Sequence, residues 1–135
     1  MNKTLIVNTI PPIYQTLHDK FKVEWDRGLV IAYFPNIHTK NGSLSPDLQA
    51  HERTHLYQQE KFPGGVSEWW KKYIDEPAFR LQEETMAYFV QVDYIKKNVI
   101  GRNLRRALIK HIVTSFVTMY GGIITKEQAK VVLKI

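Results

Sequence analysis

Residues 51 to 55 of this chain read His-Glu-Arg-Thr-His. Side chains four positions apart on a helix lie on the same face, one turn from each other. His51 and His55 can therefore both reach one ion. Glu52, beside His51, is displaced around the helix, so its carboxylate falls next to that ion rather than on it. A base is needed there to take a proton from a water that the ion activates. Leu48, His51, Glu52 and His55 share the stripe that an amphipathic helix normally fills with apolar side chains. Three of the four are ionisable, and burying them without partners is costly. A metal ion in a solvated cleft resolves that conflict. The plainer alternative, a surface helix carrying the pattern by chance, leaves the stripe without a reason.

A catalytic metal of this kind needs a third protein ligand and one open position. The chain has no cysteine, which excludes thiolate ligands, a cysteine nucleophile and disulfides. His18, His38 and His111 lie in no motif and read as structural residues. The better source is the stretch RLQEETMAYFVQ, residues 80–91. Arg80, Glu84, Ala87 and Gln91 form a stripe at helical spacing, polar apart from one small residue, and Ala87 would let a second helix approach closely. Glu83 is flanked along its own stripe by Phe79 and Val90. Glu84 is the favoured third ligand and Glu83 the alternative.

His51-Glu52-Arg53-Thr54-His55, followed by a helix bearing Glu84-Thr85-Met86-Ala87, resembles the gluzincin branch of zinc metallopeptidases. The short spacing is similar to that of the minimal members, the minigluzincins. The extended pattern from His51 to Tyr88 also resembles small metallopeptidase-like proteins encoded by tailed bacteriophages. The resemblance covers roughly residues 45–95, and the first motif is the specific one. Many gluzincins carry an acidic residue just after the small one, to orient a zinc-bound histidine; here that place holds Tyr88.

The resemblance implies a zincin-like minimal metallopeptidase. Zn2+ would be held by His51, His55 and Glu84, Glu52 would be the general base, and a protein or peptide would be the substrate. It also implies that an edge strand beside the cleft, here Leu29–Phe34, pairs with an extended substrate. Tyr88, Tyr94, Tyr120, His38 and His111 are the candidates for a further oxyanion donor. The rival expectation is a catalytically weak or inactive zincin scaffold acting in protein assembly, such as that of a phage particle.

The elements that must position these residues follow from local signals. Ser45 suits an N-cap, Pro46 the first helical position and Asp47 the positive end of the helix dipole. That helix should run to about Glu60 and stop before Pro63-Gly64-Gly65. A short helix is expected around Ser67–Tyr73, a long one from Asp75-Glu76-Pro77 to about Lys97, and another from Asn103 to about Tyr120, ended by Gly121-Gly122. Thr125 to Gln128 has capping-box spacing and opens a last helix, read as packing against the body. Upstream, Thr4–Val7 reads as a strand and Pro12–Lys20 as a helix. Lys22–Trp25 and Leu29–Phe34 read as two strands joined through Asp26-Arg27-Gly28, and Pro35 to Ser45 as a loop. Trp69, Trp70 and Tyr73 read as core or cleft wall.

The expected architecture is α+β: one domain over residues 1–135, with a small antiparallel or mixed sheet followed by a helical body. The 135 residues, 44% hydrophobic and 24% charged, fit a single globular core and argue against disorder. The formal net charge of +6 is spread along the chain, so it reads as solvated helix faces and nucleic acid is not taken as a partner. No apolar run is long enough to span a bilayer, so no membrane is expected. No secretory signal is read at Met1–Gln15, which points to an intracellular or virion-associated protein.

Overall fold

The computed structural model describes residues 4–118 and 121–135. Three short strands come first: β1 (Ile6–Val7), β2 (Val30–Tyr33) and β3 (Asn36–Thr39). Helix α1 (Tyr14–Phe21) lies between β1 and β2. The body consists of α2 (Pro46–Lys61), α3 (Gly65–Asp75), α4 (Pro77–Asn98), α5 (Arg102–Thr118) and α6 (Lys126–Leu133). The class is α+β, and the sheet is mixed, in the order β1-β3-β2. β1 runs parallel to β3, with Ile6 opposite Ile37, and β2 runs antiparallel to β3, with Ala32 opposite Ile37.

The sheet departs from the expected one. Lys22–Trp25 is not a strand: Lys22 adopts φ 60° to close α1, and Trp25–Arg27 forms a single 3-10 turn. Trp25 is buried there and its backbone N–H donates to the Tyr14 hydroxyl at 3.0 Å, so the residue is buried by a turn rather than by a ladder. Part of the expected loop, Asn36–Thr39, is the central strand. Its Ile37 is fully buried between β1 and β2, and the hairpin turns at Phe34-Pro35 instead of at Asp26–Gly28.

The helical signals translate more directly. Ser45 is the N-cap of α2 with Pro46 in its first turn, and Pro77 opens α4 in the same way. Thr125 and Gln128 form the reciprocal capping box, at 3.2 and 3.0 Å. α6 packs through Ala129 and Leu133, while Val131, 76% exposed, points outward. The expected end of α5 at Tyr120 lies outside the described residues. Among the described residues, no helix is long and apolar enough to cross a membrane.

Two apolar cores flank the site. One joins α4, α5 and α6 around Ile95, Phe116 and Leu133. The other joins α1, β2 and α3 around Leu17, Ile31, Trp69 and Tyr73. Between them α2 packs along α4, its most extensive helical neighbour. The facing stripe of α4 is the one read from sequence: Arg80, Glu84, Ala87 and Gln91 are all buried. At Ala87 the two backbones can come close because there is no side chain beyond Cβ. A polar seam between two apolar cores is stable only if its groups satisfy one another or bind something.

Candidate metal centre

His51 and His55 project from adjacent turns of α2, and Glu84 faces them from α4. One glutamate oxygen meets both rings: Oε1 lies 3.2 Å from His51 Nε2 and 3.1 Å from His55 Nε2. Potential ligand atoms of the three residues lie within 4.8 Å of one another, and all three side chains are buried. Donors about 2.1 Å from a tetrahedral ion sit roughly 3.3 Å apart. Two edges of the triangle already have about that length, so the donor set and its spacing fit a divalent cation.

Glu83, one residue away, is turned elsewhere. Its carboxylate accepts the Trp69 indole N–H at 2.8 Å, and its carbonyl accepts from Gln58. Glu52 is buried beside the cluster, with Oε1 3.9 Å from His51 Nε2.

Other side chains hold the triad. His55 Nδ1 donates to Gln58 Oε1 at 2.8 Å, which turns Nε2 toward Glu84. The Tyr73 hydroxyl donates to Glu84 Oε2 and leaves Oε1 to the histidines. Neither role is among those expected from the sequence. Gln58 sits three residues after His55, hence on the same helical face, and that spacing was the available signal. Tyr73 gives no such signal, because its reach depends on how α3 packs. Tyr88 packs edge-on against the His51 ring, with centroids 4.4 Å apart, and stacks on Phe116. His51 Nδ1 is buried with no hydrogen-bond partner among the described residues.

The electrostatics follow from burial and close pairing. Burial disfavours ionised Glu84, but His55 and His51 outweigh it and hold its carboxyl well below the ordinary range. Burial likewise disfavours a charged His55, yet Glu84 overcomes it and lifts the ring to about 9. Glu52 goes the other way: burial pushes its carboxyl up, against the pull of His51 and His55. A carboxyl with raised pKa beside a nitrogen–oxygen donor set is suited to accept and return a proton.

A cavity of about 960 Å3 opens onto the cluster, with Leu29, Val30 and Ala32 on one wall and Leu108, His111 and Ser115 on another. Of the expected oxyanion donors, Tyr88 and His111 line it. His38 does not; its Nδ1 donates to the Thr9 carbonyl within the sheet region. Tyr94 is not part of the lining, and Tyr120 lies outside the described residues.

β2 is indeed an edge strand beside the cavity, but part of its outer edge is engaged. The Gln59 amide donates to the Ala32 carbonyl and accepts the Phe34 N–H, both at 2.8 Å, and Trp70 Nε1 also donates to Ala32. Gln59 thus occupies the place of a partner strand there.

No protein-family model, no curated protein and no solved structure matches this chain.

Proposed function

We propose that the chain is a zinc-dependent metallopeptidase of the zincin kind, close in design to the minigluzincins. The convergence of His51, His55 and Glu84 on one point, with Glu52 alongside and a peptide-sized cavity in front, carries this reading. His51 and His55 would supply two nitrogens and Glu84 one oxygen, and all three residues line the cavity. Zinc held there would supply Lewis acidity, acidifying water and polarising a carbonyl. Glu52 accepts the proton of the attacking water and delivers it to the leaving amine, a role its buried, weakly acidic carboxyl suits. Tyr88 and His111 are the cavity-lining candidates for a donor to the developing oxyanion. An extended peptide would pair with β2 at its open end, near Val30.

The direct test loads the chain with zinc and exposes it to a mixed peptide library read by mass spectrometry. Cleavage is expected from the parent chain. Glu52→Gln should retain about one zinc per chain and lose at least about a hundredfold in rate, the scale of a removed general base. Equal cleavage by Glu52→Gln would remove Glu52 from the mechanism.

The engaged edge of β2 favours a second reading, in which the chain is a metal-binding or metal-free scaffold in a protein assembly such as a phage particle. A chain that binds zinc but leaves the whole library intact would support it.

A further inference from the structure

Four carboxylates line the cavity: Glu24, Asp47, Glu52 and Glu84. Glu24 pairs with Arg27 at 3.1 Å, and Glu52 and Glu84 face the histidines. Asp47 alone of the four has no cationic partner among the described residues. It sits on α2 one turn before His51, which places it about 6 Å along the helix from that ligand. Gln91, on the stripe of α4 that carries Glu84, donates to Asp47 Oδ2 at 2.8 Å and fixes the carboxylate's orientation. Gln91 is only 6% exposed and also lines the cavity, yet its buried Oε1 has no hydrogen-bond partner among the described residues.

A helix-start role explains an aspartate at this position, since the dipole favours it. It does not explain the orphan amide oxygen. A buried acceptor without a donor costs free energy that a ligand with several N–H groups can recover. A carboxylate with no cationic partner, hydrogen-bonded to an amide whose own oxygen is unsatisfied, is complementary to an ammonium or guanidinium group. We propose that Asp47 and Gln91 form a subsite for a cationic group of the substrate, about one helical turn from the metal. This makes the substrate a basic peptide, bound through a lysine or arginine side chain or through its free α-ammonium. The assignment rests on the peptidase reading for the word substrate, but the binding site itself does not depend on turnover.

The test uses the full zinc-loaded chain carrying Glu52→Gln, so that peptides bind without being cleaved. The probes are short peptides with lysine, or its neutral counterpart norleucine, at each position in turn, each with a free or an acetylated amino terminus. Calorimetry should give at least about tenfold tighter binding for one cationic placement, as expected for a charge-assisted hydrogen bond. Asp47→Asn should erase that preference and Gln91→Leu should weaken it. Asp47→Ser, also compatible with a helix start, repeats the test if the asparagine variant does not fold. A preference that follows the free amino terminus identifies the α-ammonium, and one that follows a single lysine identifies a side chain. Equal binding of all peptides, no binding of any, or a preference that survives loss of Asp47 overturns the proposal. Cleavage by the parent chain is scored separately. Binding with an Asp47-dependent preference but no cleavage leaves the subsite standing and removes the peptidase reading, while cleavage without charge preference does the reverse.

Discussion

Two adjacent glutamates with different surroundings give the sharpest residue-level expectation. Glu84 meets both histidine rings, whereas Glu83 is bonded to Trp69. Glu84→Ala should lower zinc affinity by at least about a hundredfold and Glu83→Ala by less than about tenfold, since losing a metal ligand costs more than losing a supporting contact. Competition against a chromogenic chelator measures both, and the reverse order would move the third ligand by one residue. Gln58 carries a related prediction. Its Oε1 accepts from His55 Nδ1 and so turns Nε2 toward Glu84 and the candidate metal position. Gln58→Leu keeps the side chain's bulk and removes the acceptor. Zinc affinity should fall about 10–100-fold, read by the same competition, with the far-ultraviolet spectrum unchanged. An affinity equal to the parent's would mean that packing alone orients His55.

At the scale of elements, the site depends on how near α2 and α4 come. Ala87 is fully buried on the facing stripe between Glu84 and Gln91. Ala87→Leu adds side-chain volume where none can be taken up without moving a helix, at a cost of roughly 1–3 kcal/mol. It should also weaken zinc binding, because Glu84 moves with its helix. Denaturant titration with and without zinc checks both effects, and a variant with lost stability but parental zinc affinity would show that the helices yield elsewhere. This seam was readable in the sequence because polar residues at a spacing of three and four are conspicuous where a stripe should be apolar. Helix starts were readable at Ser45-Pro46, Pro77 and Thr125 for similar local reasons. The sheet was not. Asn36–Thr39 became its centre because Ile37 is buried by two other strands, which is a tertiary fact. Lys22–Trp25 has the composition of a strand but no neighbour to pair with. Tyr73 reads as core and is buried, but its bond to Glu84 and that of Gln59 to β2 were not legible for the same reason: each acts on another element, and nothing local marks the contact.

The whole molecule carries a buried charge cluster between two apolar cores, so its stability without metal should depend on pH in a defined direction. The folded His55 ring titrates at about 9, against an ordinary 6.5. A group raised in this way contributes fully below its ordinary pKa, and the contribution is lost as pH rises through the folded value. Glu84 is shifted down from an ordinary 4.5, so its contribution is present above that pH and lost as the solution becomes strongly acid. Glu52, pushed up by burial, adds to the loss on the alkaline side, beginning at lower pH. The metal-free chain should therefore be most stable near pH 5, decline gently above it through Glu52, and lose on the order of 2–3 kcal/mol more between pH 6.5 and about pH 9 through His55. Urea titrations of chelator-treated protein across that range measure the fall. Zinc, if the triad holds it as proposed, would take the place of the proton on His55: the zinc-loaded chain should gain stability as RT ln(1 + [Zn]/Kd) and show no His55-dependent loss between pH 6.5 and 9. His55→Ala should flatten the metal-free profile over the same interval. A metal-free parent chain whose stability is level from pH 6 to 9 would mean that His55 and Glu84 do not share a proton in the folded molecule, and that the seam is held by something other than this pair.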